Sequence, residues 1–384
     1  MNATASRWHG FGTTIFTEMS ALAERTGAIN LGQGFPDEDG PAEVLDAAER
    51  ALRDGHNQYA PLAGVPALRE AIAAHQARFY GMDVDPETEV QVTFGATEAI
   101  AAALLGLCEP GDAVVCLEPY YDSYAAGIAM AGAVRRPVTL RPPDWAIGSD
   151  ALEAAIAGGA GGGRARILLL NSPHNPTGKV LTRAELELIA RACVDHDLLA
   201  ITDEVYEHIV YDGEHVPLAT LPGMAERTLT ISSLGKTFSV TGWKTGWAVG
   251  PRELVAATRT AKQYLTFAGG TPFQHAGAVA LGLDDEVYAR LADGLKAKRD
   301  RLCEGLRAAG LDVLRPAGTY FANVDCHRDG TAFCRELVER AGVVAIPTRV
   351  FYDDAEAGRS LVRFAFCKRE AVIDEAARRL AAAG

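Results

Sequence analysis

The chain has 384 residues, with 37 Lys and Arg against 50 Asp and Glu and a formal charge of −13. That length suits two or three domains with ample buried core, and the acidic balance argues against nucleic acid, whose phosphates select cationic surfaces. The longest apolar stretch, residues 99–108, is shorter than the roughly 20 residues that span a bilayer, and the N-terminus lacks a charged-then-apolar leader, so a cytoplasmic protein with no membrane partner is expected.

Residues 1–40 read as mixed and loop-rich, with Gly32-Gln33-Gly34-Phe35-Pro36 near their end. Beyond them, β-rich runs at 90–93, 113–117, 133–140, 167–171, 198–202 and 228–232 alternate with helical segments at 97–107, 121–131, 183–196 and 253–263. Continuous apolar strands alternating with helices predict an α/β fold built on a mainly parallel sheet covered on both faces. The glycine-rich run at 158–163 reads as a surface loop. An amphipathic helix at 286–307 is apolar at Val287, Leu291, Leu295 and Leu302, and its basic residues Lys296, Lys298, Arg299 and Arg301 read as a solvated face. Strand candidates at 311–314, 320–324 and 361–366 and a terminal helix follow. This pattern predicts a large domain over 41–280 and a smaller α+β domain over 281–384, to which residues 1–40 contribute.

Seven cysteines (Cys108, Cys116, Cys193, Cys303, Cys326, Cys334 and Cys367) form no C-x-x-C pair, which suits reduced thiols better than a disulfide framework or zinc site. The histidines show no metal-ligand spacing, so no metal is expected. Gly235-Lys236-Thr237 is not a P-loop, because that motif needs glycine where Thr230 stands. Neither a dinucleotide fingerprint after the first strand nor a G-x-S-x-G elbow is present.

Three polar clusters each follow a predicted strand, where the carboxyl ends of a parallel sheet place ligands. They are Asn171-Ser172-Pro173-His174-Asn175-Pro176-Thr177-Gly178, Asp203-Glu204-Val205-Tyr206 and Ser232-Ser233-Leu234-Gly235-Lys236. An amide, a carboxylate, a phenol and an amine on one rim suit pyridoxal 5'-phosphate. Lys236 is then the Schiff-base amine and mover of the Cα proton, and Asp203 the partner of the ring nitrogen. Asn175 and Tyr206 bond the ring's phenolic oxygen. The phosphate needs amides at a helix N-terminus, hydroxyls and a cation, which Gly95-Ala96-Thr97, Ser233 and Lys244 can supply. His174 and His208 read as local hydrogen-bonding groups, since Lys236 already provides the base.

Over essentially its whole length the sequence resembles the class I/II aminotransferases of pyridoxal-phosphate fold type I. It is most similar to the kynurenine, glutamine and methionine aminotransferases and the related N-succinyldiaminopimelate aminotransferases. The carrying segments are LGQGFPDEDGP (31–41), NQYAP (57–61), GATEAI (95–100), EPYYDSY (118–124), NSPHNPTG (171–178), TDEVYEH (202–208), SSLGKTFSVTGWKTGW (232–247) and VRFAFCKR (362–369), in shared order and spacing. The resemblance implies a seven-stranded sheet, amino-acid and 2-oxo-acid substrates, ping-pong transfer, and a homodimer with shared active sites. It also implies that Tyr121 stacks on the pyridine ring, that Tyr59 reaches a neighbouring subunit's cofactor phosphate, and that Arg363 grips the substrate carboxylate beside Gly34 and Asn175. One departure is Phe267-Ala268, where some kynurenine-type relatives carry Phe-His at the pocket edge. Tyr320 and Phe351 are further candidates for lining that pocket. On the same scaffold, β-elimination from a cysteine conjugate (a C–S lyase) and decarboxylation remain alternatives to transamination, because the cofactor stabilises whatever charge forms at Cα.

Overall fold

The computed structural model describes residues 4–12, 15–159 and 162–383. In chain order, α1 (Ile15–Thr26) and β1 (Ile29–Asn30) precede α2 (Ala42–Arg53) and α3 (Pro66–Tyr80). The alternating region then runs β2 (Val90–Phe94), α4 (Gly95–Leu107), β3 (Ala113–Glu118), α5 (Asp122–Met130), β4 (Val134–Thr139), α6 (Ser149–Ala157), β5 (Ala165–Asn171), α7 (Arg183–Asp195) and β6 (Leu199–Asp203). It continues through β7 (Thr228–Ser233), the short α8 (Leu234–Thr237), β8 (Thr245–Val249), α9 (Arg252–Gln263) and α10 (Thr271–Leu281). The remainder is α11 (Asp285–Ala308), β9 (Asp312–Leu314), β10 (Phe321–Asp325), α12 (Gly330–Ala341), β11 (Val343–Val344), β12 (Ile346–Pro347), β13 (Leu361–Ala365) and α13 (Glu370–Ala383).

The seven-stranded sheet has the order β2-β8-β7-β6-β5-β3-β4. It is parallel except at β8, which runs antiparallel to β2 and β7. The apolar runs alternate faces as a pleated strand must. Val115, Leu117, Leu168 and Leu170 enter one core layer, while Val114, Cys116, Ile167 and Leu169 enter the other. Burial on both faces explains why these strands read as continuous apolar runs. Local signals set the helix ends. Thr182 and Glu185 close a reciprocal capping box on α7, and Gly81, with φ 65°, ends α3 in the left-handed conformation.

The second sheet, β12-β13-β10-β9, is antiparallel. Its core holds Leu302, Phe364 and Ile373 together with Met19 and Ala23 of α1. β1 pairs in parallel with β11, joining Ile29 to Val343. We propose on this basis the division into a large unit, 41–280, and a small one assembled from 1–40 and 281–384.

Three features differ from the sequence reading. The segment read as loop-rich contains the twelve-residue α1, whose polar surface hides a narrow apolar stripe at Met19 and Ala23. The seventh strand, β8, is absent from the predicted strands; it begins at Thr245, just after a 3₁₀ turn at Thr241–Trp243. Arg299 is not on a solvated face: it is fully buried. Its Nη1 donates to Asp212 Oδ2 at 2.6 Å and to the Pro316 carbonyl at 3.0 Å, and its Nε donates to Asp300. The guanidinium also stacks 4.8 Å from the Tyr211 ring. Of the glycine-rich run, 158–159 and 162–163 are irregular and 160–161 lie outside the described residues. No helix among the described residues is long and apolar enough to cross a membrane.

Removing a buried, multiply bonded guanidinium strands its partners and opens a void, whereas exposed ion pairs contribute little. Arg299→Ala is therefore expected to lower stability by about 2–3 kcal/mol, read as a shift of the urea midpoint, while Arg301→Ala, on the exposed face, shifts it by less than about 0.5 kcal/mol.

Candidate active site

Parallel pairing sets the site. Asn171 at the end of β5 lies level with Asp203 at the end of β6, and Asp203 with Ile231 of β7, just before Ser233 and Lys236. These strand ends open into a cavity of about 370 Å³ walled by Gly34, Ala96, Thr97, Tyr121, Asn175, Asp203, Tyr206, Ser233, Lys236, Lys244 and Arg363. Of the catalytic, cofactor and carboxylate-binding residues read from the sequence, all but Tyr59 are there. Tyr59 is 81% exposed, beside Phe267 at a ring separation of 5.6 Å, on a surface that also carries exposed Tyr264, Leu265 and Phe94.

Lys236 Nζ lies about 6 Å from the ring centres of Tyr206 and Tyr320. Burial lowers its proton affinity, with Lys244 and Arg363 acting in the same sense, which favours the neutral, nucleophilic amine. Asp203 is buried and accepts from the Tyr124 hydroxyl at 2.6 Å on Oδ2 and more weakly from the Val205 amide at 3.4 Å on Oδ1. Burial pushes its carboxyl up to about 6, against the pull of those bonds and of Lys236.

Asn171 fixes two neighbours at once. Its Nδ2 donates to the Asp203 carbonyl at 2.7 Å, and its Oδ1 accepts from the Asn175 amide at 2.6 Å. The Asn175 side chain accepts from Arg363 Nη1 at 3.0 Å, and Arg363 Nη2 donates to the Gly32 carbonyl at 3.0 Å. Phe321, Phe351 and Phe16 surround the guanidinium at 4.0, 4.9 and 5.3 Å, a favourable setting for a buried cation. Burial lowers Arg363 to about 10, so it stays charged at neutral pH. Its Nε is buried with no partner, a donor that a ligand carboxylate would satisfy.

At the other end of the cavity, α4 begins at Gly95 without a side-chain cap, leaving first-turn amides for a ligand. Gly95 has φ +77°, and a Cβ there would lie 3.2 Å from Lys244 Cε. Gly246 of β8 lets that turn approach the sheet, since its Cβ would lie 2.6 Å from the Gly95 carbonyl carbon. Lys244 itself has φ 54°, a strained non-glycine position of the kind found at functional sites. Uncapped amides, a hydroxyl and a cation at one end, a buried carboxylate and amine in the middle, and an unsatisfied guanidinium donor at the other fit pyridoxal phosphate with an amino acid beside it.

Sequence reasoning missed several wall residues: Phe16, Gln33, Asp122, Tyr124, Asn171 and Phe321. Asn171 and Tyr124 lay inside quoted motifs, but only the fold shows that both bond Asp203. Tyr320 and Phe351 are not on this wall. Tyr320 donates to the Gly34 carbonyl at 2.7 Å from behind it, and Phe351 packs on Arg363. His174 bonds Thr177 and His208 bonds His75, both at 2.7 Å, and burial holds both imidazoles near 3 and neutral. With Glu207 these last two form a buried group whose ligand atoms lie within 4.8 Å of one another. Glu207 accepts from Tyr80 at 2.6 Å and from Ser232, so its oxygens are already engaged. All seven cysteines are free, and burial raises each thiol.

The model of the family "Aminotransferase class I and II" matches residues 26–380. The chain belongs to that family and is a pyridoxal-phosphate-dependent aminotransferase, acting on amino acids and 2-oxo acids. Among its relatives, a probable N-succinyldiaminopimelate aminotransferase of Mycobacterium tuberculosis is 53% identical over 392 residues, covering 98% of each chain. The methionine aminotransferase of Escherichia coli is 42% identical, covering 96% of this chain and 95% of that one. The solved N-succinyldiaminopimelate aminotransferase from Mycobacterium tuberculosis superposes with a TM-score of 0.96 at 54% identity, covering 100% of both chains.

The raised pKa of Asp203 makes the stability of the cofactor-free fold depend on pH. The cofactor-free fold holds this proton more tightly than the unfolded chain, whose carboxyl titrates near 3.8, so the stabilisation is present below that value and lost as pH rises through about 6. Between pH 4 and 6 the cofactor-free wild type should lose on the order of 2 kcal/mol relative to Asp203→Asn in urea unfolding.

Proposed function

We propose that this aminotransferase exchanges the amino group of N-succinyldiaminopimelate, or an amino acid of the same class with a long anionic side chain, with a 2-oxo acid, and that it works as a homodimer. The single observation carrying the substrate reading is the 53% identity, over 98% of both chains, to the probable N-succinyldiaminopimelate aminotransferase of Mycobacterium tuberculosis, against 42% to the methionine enzyme. The site residues support the chemistry as follows.

When bound, pyridoxal phosphate supplies an aldehyde that condenses with amines and a ring that accepts the electron pair left when Cα loses its proton. The α4 amides at Ala96 and Thr97, with Ser233 and Lys244, hold its phosphate. Tyr121, at the N-cap of α5, would cover one face of the ring, and Asn175 and Tyr206 would bond its phenolic oxygen. Asp203 would pair with the ring nitrogen and keep positive charge there. Lys236 Nζ would be the amine that holds the cofactor's aldehyde, and the same nitrogen would serve as the base for the substrate's Cα proton. The lowered proton affinity of Lys236 suits that base role.

Arg363 holds the substrate α-carboxylate with the backbone at Gly34. Gripping the carboxylate fixes which bond at Cα breaks: the C–H bond is presented to Lys236 and the carboxylate is kept from leaving. That favours transamination over decarboxylation. For the homodimer, the exposed ring pair Tyr59–Phe267 and the neighbouring Tyr264 and Leu265 offer an apolar surface suited to burial against a second copy. Tyr59 would then serve the partner's cofactor phosphate.

Single-turnover half-reactions test the reading. N-succinyldiaminopimelate is expected to convert the visible absorption of the holoenzyme to that of the aminated cofactor at least tenfold faster than kynurenine or methionine at equal concentration. Equal rates would remove the substrate assignment, and pyruvate plus thiol from a cysteine conjugate as the main outcome would favour β-elimination. Lys236→Ala should abolish turnover and the wild-type visible band. Sedimentation equilibrium should give a dimer, and Tyr59→Phe should weaken cofactor retention about tenfold, the loss of one hydrogen bond to a charged acceptor.

A further inference from the structure

Asp203 is the costliest group in the cavity, a carboxylate with 5% of its surface exposed, held at the end of the central strand. Its two oxygens are treated differently. Oδ2 takes the 2.6 Å bond from Tyr124, while Oδ1 has only the long contact to the Val205 amide. Tyr124 is itself 2% exposed and sits in the first turn of α5, with its ring edge-on to Tyr121 at 5.9 Å and an interplanar angle of 90°. One helix end therefore carries both the aromatic wall of the cavity and the proton donor to Asp203.

We propose that Tyr124 is a positioning residue for the transfer reaction, donating its hydroxyl proton to Asp203 Oδ2 so that the carboxylate stays ionised and turns Oδ1 toward the cofactor's ring nitrogen. The proposal rests on the assignment of Asp203 to that nitrogen. The donor type matters. An arginine at this place would drain the carboxylate's basicity and compete for its charge, whereas a neutral phenol steadies the anion and leaves it basic enough to hold the ring proton. Burial and the adjacent carboxylate push the phenol's pKa well above its usual value, so it remains a donor throughout the working pH range. The other ionisable groups acting on Asp203 are Lys236, across the cavity, and Glu204, and Glu204 is engaged by His215 and Thr202, both at 2.8 Å.

Without the phenol proton, Asp203 becomes more basic and the proton shared with the ring moves toward the carboxylate. The ring then accepts electrons less readily, which slows Cα proton removal without touching substrate contacts. Holoenzyme reconstituted with ring-¹⁵N pyridoxal phosphate reads this directly. In Tyr124→Phe the ¹⁵N resonance should move toward the neutral pyridine position, and kcat should fall about tenfold with KM within twofold, the scale of one charge-assisted hydrogen bond. In the isosteric 3-fluorotyrosine variant at position 124, a stronger donor, the resonance should move the opposite way, which guards against a folding defect in Tyr124→Phe.

Adding Tyr124→Phe to Asp203→Asn should cost less than a further twofold, because the phenol acts through the carboxylate. An unchanged ¹⁵N resonance in both Tyr124 variants, or full additivity of the two substitutions, would overturn the proposal. An unchanged resonance in Asp203→Asn alone would instead overturn the assignment of Asp203, on which the proposal stands.

Discussion

Keeping a carboxylate charged inside a protein is expensive, and much of this structure is arranged around doing so at Asp203. The parallel register places Asp203 level with Asn171 and Ile231, so the residues that follow these three strands arrive at one rim without long loops to carry them. Asn171 then fixes the Asp203 backbone and Asn175 through a single amide. From Asn175 the bonding passes to Arg363 and on to Gly32. A charge at the sheet's centre is thereby tied, bond by bond, to the small unit and to the N-terminal segment.

How far the sequence could be read followed the range of the forces involved. The α/β class and six of the seven large-sheet strands were legible, because two-sided burial writes long apolar runs into the chain. β8 was not: it begins eight residues beyond Thr237, and its pairing with β2 and β7 is a non-local fact. α1 was hidden because its buried stripe is two residues wide, and Arg299 because a charge pattern reports sequence spacing and not what packs over it. The cavity wall divided similarly. Lys236, Asp203 and Asn175 sit in short motifs at strand ends and could be named together. Tyr124 and Phe16 reach the wall from elements whose placement depends on the whole fold, and no local pattern distinguishes Tyr124 from Tyr120 four residues earlier, whose hydroxyl bonds Asp353 instead.

Net charge misleads here in an instructive way. The −13 describes the surface as a whole, while the cavity holds Lys236, Lys244 and Arg363 within one wall. Among these, burial weakens the proton affinity of Lys236 and brings Arg363 to about 10. Desolvation therefore sorts three cations into two jobs, an amine able to lose its proton and a guanidinium that keeps its own at neutral pH. An acidic exterior and a cationic interior are compatible because the two are separated by low-dielectric core.

The bond from Arg363 to the Gly32 carbonyl joins positions 331 residues apart, and β1 waits on β11, its ladder partner among the described residues. A ribosome delivers the first of each pair long before the second. The nascent chain can thus bury the large sheet and present Lys236 while its carboxylate-binding corner does not yet exist. That corner forms only after Arg363 has been added, whereas the cofactor-facing residues from Ala96 to Lys244 are synthesised well before it.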